Sequence, residues 1–573
     1  MPIAPPGQFY FGSAHRPLFG TLHYPSAGWN GSRVLLCSPL GYEAHFAHLT
    51  FTDLAATIAE STGSAVMTFD YDGTGDSVGT DDEPDFIERA LSSINHAIDY
   101  LKALPGASGP LLVIGLRVGA ALAAHVVADR SDVDGIALWA AIGGRAFLRE
   151  QRVFSQLSDT NPAPPPGYAR NLGEQGFEAN GCTFDSAAAA ALEQIDPKKL
   201  GKPPARQVFV LHRAELPTWR KAPQPWTSAT IEEDAAGGYA EMMEPPWLWS
   251  SPGEAIGKLV DWVGRLTSAS AAPRAPLKLA QQDSARMPGG FEERAVWFGP
   301  NRRRFGILTV PPGATRAALF VSSVFSYRIG PNRSNVNLAR RLAAAGIASL
   351  RIDVSDVGDS RERTGVIPKN PYDEIAVGDA LEAIEYLRAA GFKSVSAVGI
   401  CAGAFVCWRA AEQSRHPINA VLANIGLFDS RVWTRERHLM WRAGPPPEAR
   451  KPGPDAPITE RSGWFLRGAA RALRDGGVEL ARATLPATVY PQGLPARILR
   501  LQRRGSRVVL IYSDTDSASR RYRYLTSYHQ VRFALTRAVV TRVAHGPDHS
   551  FTPRWAQAML GDIVAEEIAG WTG

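Results

Sequence analysis

Short apolar runs of strand length alternate along the chain with longer segments in which apolar residues recur every three or four positions. Most of these runs are apolar at successive positions, so both faces of the corresponding strands are expected to be buried. This alternation predicts parallel β-sheets covered by helices on both sides. In the C-terminal half the runs lie at residues 318–323, 349–353, 395–400, 420–425, 508–513 and 539–544.

Five landmarks of the N-terminal half recur in the same order in the C-terminal half, displaced by 283 to 287 positions. Agreement of five ordered landmarks by chance is improbable, so the sequence predicts a tandem duplication. The landmarks are Phe11-Gly12 and Phe19-Gly20 with Phe298-Gly299 and Phe305-Gly306; residues 34–38 with 319–323; Asp70 and Gly75-Asp76-Ser77 with Asp353 and Gly358-Asp359-Ser360; residues 97–101 with 383–387; and residues 115–119 with 399–403.

The repeat predicts two domains, at residues 1–267 and 291–573. Residues 268–290 show little apolar periodicity and are predicted to be a linker. Insertions at residues 143–205 and 427–506 each contain a Pro-Pro-Pro break and are predicted to be lids over the two domains.

The composition fits a globular protein of more than one domain. The 573 residues exceed what a single core usually accommodates, and the hydrophobic and charged fractions of 45% and 21% are typical of soluble proteins. Four cysteines do not make a disulfide framework, which indicates a reducing compartment. The first residues have no basic and apolar signal pattern, and no apolar stretch indicates a membrane span, so a cytoplasmic location is expected.

The positive charge is concentrated in one segment. Residues 427–504 contain 14 Arg and one Lys against seven acidic residues, a local charge of +8 in a chain whose net charge is +6. This segment is either a solvated face or a surface that attracts an acidic carrier protein or the phosphates of a pantetheine arm. No nucleic-acid motif, metal-ligand cluster, dinucleotide glycine pattern or phosphate loop accompanies it, so neither a nucleic-acid partner nor a metal or cofactor is expected.

The candidate chemistry lies at the fifth landmark. Gly399-Ile400-Cys401-Ala402-Gly403 stands between a predicted strand and a predicted helix, with small residues two positions on either side of a thiol. Such a turn pushes the central side chain clear of the backbone. In the N-terminal half the corresponding residues are Gly115-Leu116-Arg117-Val118-Gly119, and an arginine cannot act as a nucleophile.

The order of elements resembles the α/β-hydrolase superfamily: a strand, a nucleophile turn, a helix, an acid after a later strand, and a histidine near the end. The resemblance implies two tandem α/β-hydrolase-type domains. In the C-terminal half it implies Cys401 as nucleophile, Asp516 as acid and His549 as base, the last within Asp548-His549-Ser550-Phe551. Asp514 and His545 are the competing acid and base; the superfamily's Gly-x-x-Asp spacing favours Asp516, and the following Ser-Phe favours His549.

Cysteine at the nucleophile position resembles two subsets of the superfamily. One is the dienelactone hydrolases, and the other contains the acyltransferases and thioesterases that move acyl or aminoacyl groups between carrier proteins in nonribosomal peptide pathways. The N-terminal half resembles the hydrolase-like proteins associated with bacterial exosortase systems, with a degenerate nucleophile turn.

A cysteine becomes a strong nucleophile only when it is ionised. The start of a helix and a proton held on His549 would favour the thiolate of Cys401, and Asp516 would orient the imidazole. The resemblance implies an oxyanion hole made by the backbone N–H groups of Ala402 and Val324. The alternative for Cys401 is an inert buried cysteine without a catalytic role, which is the favoured interpretation for Cys407.

In the N-terminal half, Arg117, Glu215 and Tyr239 stand at the positions of nucleophile, acid and base. Arg117 would either hold a carboxylate or phosphate or pair with Glu215, and pairing is favoured because buried charges usually have partners. His212 is expected to be a strand-end residue.

The function expected from these residues is acyl transfer through an acyl-Cys401 thioester, from a carrier-protein or CoA thioester to a thiol, amine or alcohol in natural-product biosynthesis. Thioesterase or dienelactone-type hydrolysis is the first alternative. A non-catalytic scaffold or binding protein is the second.

Overall fold

The computed structural model describes residues 7–158, 163–216, 226–244, 249–268, 282–322, 326–360, 372–426, 494–516 and 539–571. Within these residues the chain forms two large, mostly parallel β-sheets, each flanked by helices. The predicted fold class is confirmed.

The N-terminal domain contains the first large sheet and a separate two-stranded hairpin, β7–β8. The order in the sheet is β1-β2-β4-β3-β5-β6-β9-β10, and only the β1–β2 and β2–β4 pairs are antiparallel. Its strands are β1 (Gly7–Ser13), β2 (Arg16–His23), β3 (Arg33–Cys37), β4 (Ala65–Phe69), β5 (Leu111–Leu116), β6 (Gly135–Trp139), β7 (Phe177–Ala179), β8 (Cys182–Phe184), β9 (Gln207–Arg213) and β10 (Thr230–Ala236).

Helices bury both faces of this sheet. Leu35 and Leu36 are successive residues of β3, and both are fully buried but in different hydrophobic clusters. This arrangement explains why the strands are apolar at successive positions. The helices described are α1 (Tyr42–Thr62), α2 (Phe86–Lys102), α3 (Val118–Val127), α4 (Gly144–Ser158), α5 (Ser186–Glu193), α6 (Tyr239–Met242) and α7 (Gly253–Thr267).

The C-terminal domain repeats this arrangement. Its sheet has the order β11-β12-β13-β15-β14-β16-β17-β18-β19, which matches the first sheet once β11 is set aside. All six strands predicted in this half are present, with bounds that differ by at most two residues. The strands are β11 (Ser284–Arg286), β12 (Glu292–Phe298), β13 (Arg304–Val310), β14 (Arg316–Val321), β15 (Ala348–Ile352), β16 (Ser394–Ile400), β17 (Asn419–Ala423), β18 (Val508–Ser513) and β19 (Val539–Ala544).

Helices again lie on both faces of the second sheet. None of the helices in the described part of the chain is long and apolar enough to cross a membrane. Those of the C-terminal domain are α8 (Ser334–Ala344), α9 (Glu374–Ala389), α10 (Ala402–Gln413), α11 (Leu494–Arg503) and α12 (Arg554–Ala569).

The region predicted as a linker, residues 268–290, contains a strand. Helix α7 ends at Thr267, and β11 pairs with β12 at the edge of the second sheet. Only Ala285 of the three β11 residues is buried, so the strand is too short and too exposed to show a period in the sequence.

The two predicted lids are described to different extents. Residues 143–205 lie between β6 and β9 and contain α4, the β7–β8 hairpin and α5. Of the second insertion, at 427–506, residues 427–493 lie outside the described part of the chain. The described part, residues 494–506, begins with α11.

The Asp and Gly-Asp-Ser landmark forms the same turn in both domains. In the first copy, Asp70 Oδ2 accepts a hydrogen bond from Asp76 N at 2.8 Å, and Ser77 Oγ donates to Asp70 O at 2.7 Å. The second copy has both bonds at the same lengths. Its residues are Asp353, Asp359 and Ser360.

The two turns meet in the domain interface around a buried arginine. Arg328 donates to Asp76 of the N-terminal domain at 2.7 Å, to Asp353 at 2.8 Å and to Asp359 at 2.6 Å. Arg351, also buried, pairs with the second carboxylate oxygen of Asp76. The domains are therefore joined by an ionic network that excludes solvent.

Candidate active site

Cys401 occupies a sharp turn between β16 and α10. Its backbone has φ 55° and ψ −118°, a conformation that non-glycine residues rarely adopt, and it directly precedes the first residue of the helix. A Cβ atom on Gly399 would overlap the backbone of Gly403, so this small residue is required for the turn to close. The Cys401 side chain is partly exposed at the free N-terminal end of α10.

His549 and Asp516 lie next to Cys401. Asp516 accepts a hydrogen bond from Nδ1 of His549, and Cys401 lies near enough to the imidazole to raise its pKa. The bond to Asp516, followed by the bond to Cys401, raises the pKa of His549 to about 10, against the opposing effect of burial. The imidazole therefore keeps its proton at neutral pH.

Two anchors fix the segment that carries His549. Asn424, just after β17, donates from Nδ2 to the backbone carbonyl of His549 at 2.8 Å and accepts from Ser513 N at 2.8 Å. Thr515 donates from its hydroxyl to the Pro547 carbonyl at 2.5 Å. Asn424 was not predicted from the sequence; a polar residue at the carboxyl end of a buried strand beside the nucleophile turn is the signal that would have indicated it.

The competing residues Asp514 and His545 form a second pair. His545 Nδ1 lies 3.0 Å from Asp514 Oδ2, and the side chains are 79% and 41% exposed, against 45% for His549 and 8% for Asp516. A hydrogen bond from the backbone N–H of Gly546, followed by the bond to His545, lowers the pKa of Asp514 despite slight burial. These residues form an exposed surface pair, whereas His549 contacts Cys401.

The predicted oxyanion hole is described only in part. Ala402 is the first residue of α10 and is fully buried, which places its backbone directly after the nucleophile position. Val324 lies outside the described residues.

The other three cysteines are in different surroundings. Burial raises the pKa of the thiols of Cys37 and Cys407 well above the ordinary value and raises that of Cys182 to about 12. Such thiols are neutral and unreactive at neutral pH. Among the described residues, no group of three or more His, Cys, Asp or Glu side chains is arranged to hold a metal ion.

Arg117 in the N-terminal domain adopts the backbone geometry of Cys401, with φ 57° and ψ −127°. Its guanidinium pairs with Glu43 at 3.2 Å and also with Glu150. The predicted pairing with Glu215 is therefore wrong. Glu43 lies in the first turn of α1, and Glu150 lies in α4 of the insertion. The sequence pattern around Arg117 does not indicate where these two helices pack, so the pairs could not be predicted from it.

Glu215 and Tyr239 nevertheless lie close to this position. Glu215 Oε1 accepts from the Tyr239 backbone N–H at 3.0 Å, and Arg117 lies 5.7 Å from the Tyr239 ring centre. The Arg213 guanidinium stacks on the same ring at 3.8 Å. His212, at the end of β9, interacts with Glu233 at 3.4 Å. The three residues at the degenerate positions thus form a charged and aromatic cluster without a nucleophile.

The described end of the Arg-rich segment is packed against its own domain. Arg497 binds Glu412 through Nε at 2.6 Å, and Arg504 donates to the Glu412 carbonyl at 3.0 Å. These two arginines contribute to packing around α10 and α11.

No protein-family model matches the sequence, and no curated protein matches it at a significant level. Solved structures of hydrolases and esterases resemble it. A dienelactone hydrolase from Anabaena variabilis is 15% identical, with 49% of this chain and 99% of that chain covered and a TM-score of 0.30. Est1E from Butyrivibrio proteoclasticus, with ferulic acid bound, is 12% identical, with 45% and 96% covered and a TM-score of 0.31.

An esterase from Pyrococcus furiosus is 15% identical, with 49% of this chain and 94% of that chain covered and a TM-score of 0.31. Similarity of this degree identifies neither a substrate nor a reaction. The strand order and the two turns after β5 and β16 are the features of this chain that agree with the predicted fold class of both domains.

Proposed function

We propose that the C-terminal domain cleaves an acyl ester or thioester through a covalent acyl-Cys401 intermediate, with water as the acceptor. The observation that carries this proposal is the imidazole of His549, which is paired with Asp516 and has its pKa raised by the neighbouring Cys401. A thiol at a sharp turn, a base beside it and an acid behind the base make up the arrangement that nucleophilic acyl chemistry needs.

The proposed reaction has two steps. The Cys401 thiolate attacks the acyl carbon, the bond to the leaving oxygen or sulfur breaks, and the leaving group takes the proton of the His549 imidazolium. The neutral imidazole then removes a proton from water, and the resulting hydroxide attacks the thioester. The Cys401 thiolate leaves, His549 is again protonated, and a carboxylic acid is released. Asp516 holds Nδ1–H in both steps and stabilises the imidazolium.

Water is the preferred acceptor because both reacting side chains are partly exposed. The side chain of His549 is 45% exposed and that of Cys401 is partly exposed, so solvent can approach the acyl group. The backbone N–H of Ala402 is our candidate for stabilising the negative oxygen of each tetrahedral intermediate.

A second candidate is acyl transfer from a carrier-protein or CoA thioester to a thiol, amine or alcohol in a biosynthetic pathway. The charge of +8 on residues 427–504 favours it, because such a segment attracts an acidic carrier protein or the phosphates of a pantetheine arm. An acyl-cysteine is close in free energy to a thioester donor, so transfer to a second thiol is reversible.

We also propose that the domains arose by tandem duplication and that the N-terminal copy lost its chemistry. The repeated Asp and Gly-Asp-Ser turns and the equal strand order support the duplication. Arg117 at the nucleophile position, neutralised by Glu43 and Glu150, supports the loss of activity. A role for both copies as a scaffold without chemistry is the alternative, and the reactivity of Cys401 distinguishes the two.

Intact-mass analysis after incubation with a panel of acyl esters and acyl-thioesters tests the proposal. We expect a mass increase of one acyl group, located on the Cys401 peptide and absent from a Cys401→Ala variant. Release of free acid shows hydrolysis, and an acylated added thiol or amine shows transfer. The scaffold alternative is correct if no member of the panel loads Cys401 and if iodoacetamide alkylates Cys401 no faster than it alkylates the free thiol of glutathione.

The pH dependence of cleavage provides a second test. The wild-type rate is expected to fall as the pH rises through about 10, because His549 loses its proton there. Asp516→Asn removes the largest contribution to the raised pKa, so this alkaline limb should move toward the ordinary histidine value of about 6.5. The measurement is kcat/KM against pH. Asp514→Asn, which alters the exposed pair, is the matched control, and an alkaline limb that does not move in Asp516→Asn would assign it to another group.

A further inference from the structure

The β7–β8 hairpin of the N-terminal domain reaches the C-terminal domain beside His549. Asn180 and Gly181 form its two-residue tip, with positive φ angles of 48° and 79°. A Cβ atom on Gly181 would overlap the Thr552 carbonyl oxygen and the Asn332 side chain. The tip therefore packs directly on the backbone three residues after His549.

Arg554, the first residue of α12, connects this hairpin to the segment that carries His549. Its Nε donates to the Gly181 carbonyl at 2.8 Å, and its backbone N–H donates to Glu178 at 2.9 Å. Its guanidinium also pairs with Asp81, whose other carboxylate oxygen accepts from Thr183 N at 3.1 Å. Arg554 is buried, so these bonds are shielded from water.

The segment held in this way is short and conformationally demanding. Four residues separate His549 from Arg554, and Phe551 among them is buried with a φ of 54°. A bulky residue in this region of φ persists only where the surroundings enforce it. Asn424 holds the His549 end, and the N-terminal domain holds the Arg554 end.

We propose that the clamp, defined as the β7–β8 hairpin together with Asp81, positions His549 against Cys401, so that the N-terminal domain controls the proton chemistry of the C-terminal domain. The clamp touches neither Cys401 nor the imidazole; it acts through Arg554 and the Thr552 backbone. This inference rests on the proposed function of His549 as the base.

Gly181→Ala tests the clamp. The added methyl group must move the hairpin tip away from Thr552, so kcat and the rate of Cys401 alkylation at pH 7 should fall roughly tenfold or more, with KM little changed. The alkaline limb of kcat/KM should move to lower pH, as in Asp516→Asn, because His549 loses its partners. A loss of folding alone would not shift the pH profile of the folded molecules.

Gly167→Ala is the matched control. Gly167 belongs to the same insertion and has a φ of 91°, but apart from its chain neighbours no atom of the described residues lies within 4 Å of the position of its Cβ. The backbone strain is therefore comparable and the contact is absent, so wild-type reactivity of Cys401 is expected. Tyr168→Phe removes another hydrogen bond between the insertion and α12, from Tyr168 to Asp562 at 2.9 Å, and should also leave Cys401 reactivity unchanged.

A second pair of variants keeps the test decisive if Gly181→Ala does not fold. Glu178→Gln retains an acceptor for the Arg554 N–H and should behave as wild type, whereas Glu178→Ala removes it and should slow alkylation of Cys401. Folded clamp variants with wild-type rates and an unshifted pH profile would overturn the proposal.

Amide hydrogen exchange of residues 549–554, followed by mass spectrometry, tests the clamp independently of the proposed function of His549. The clamp predicts faster exchange in Gly181→Ala and Glu178→Ala but not in Gly167→Ala, whatever the reaction is. If wild-type Cys401 proves unreactive, the proposed function fails and the exchange data still decide the clamp. Equal exchange in all variants contradicts the clamp alone.

Discussion

Replacing Cys401 with alanine should lower kcat for ester or thioester cleavage by at least ~10³-fold, because the acyl group then has no atom to which it can be transferred. His549→Ala should cost a similar factor, since the thiol loses the group that holds its proton. The double variant should be no worse than either single variant, because nucleophile and base act as one unit. The measurement is kcat with the substrate that loads Cys401 best.

Two control variants sharpen this prediction. Cys407→Ala changes a fully buried thiol on the same helix, α10, and His545→Ala removes the base of the exposed pair. Both should keep kcat within about threefold of wild type, because neither side chain contacts the reacting atoms. A large loss in His545→Ala with little loss in His549→Ala would assign the base to the exposed pair instead.

The sequence specified the parts of the fold that local patterns determine. The strand at 508–513 was predicted to the residue, because it is a run of six buried positions bounded by Arg507 and Asp514. The strand at 539–544 was also predicted to the residue, although only Val539 and Ala544 are buried in it. The turn at Cys401 followed from its flanking glycines, whose missing side chains are a local steric requirement. The contact between His549 and Asp516 required the family resemblance, because 33 positions separate them in the chain.

Contacts made by the insertions could not be predicted in this way. Glu43 and Glu150 reach Arg117 across 74 and 33 positions, and the residues that neutralise a buried arginine depend on how α1 and α4 pack. The bond between Gly181 and Arg554 spans 373 positions and two domains. Neither hydrophobic periodicity nor turn chemistry carries information about such pairs.

The repeated Gly-Asp-Ser landmark also makes contacts that could not be predicted from the sequence. The sequence identified Asp76 and Asp359 as equivalent, and the structure gives them equivalent backbone roles. The structure adds that the two copies face each other and share Arg328. The pairing depends on how the folded domains dock, so it was not evident from either copy alone.

Asp76→Ala should destabilise the protein by about 3–5 kcal/mol, the usual cost of removing one partner of a buried ion pair. Burial by itself raises the pKa of Asp76, but the charges of Arg328 and Arg351 outweigh it and lower the pKa, so the carboxylate is ionised at neutral pH. Without it, both buried guanidinium groups lose the partner that the N-terminal domain supplies.

The free energy of unfolding in urea or guanidinium chloride, compared at unchanged slope, measures this loss. Asp99→Ala is the control, because Asp99 pairs with Arg130 at 2.6 Å while its side chain is 60% exposed. Exposed pairs contribute at most about 1 kcal/mol, so Asp99→Ala should stay below that value. Natural domains have a total stability of about 5–15 kcal/mol, so the expected loss in Asp76→Ala would be a large fraction of it. A change as small as that of Asp99→Ala would mean that Arg328 is held by Asp353 and Asp359 alone and that the domains do not depend on Asp76 for their association.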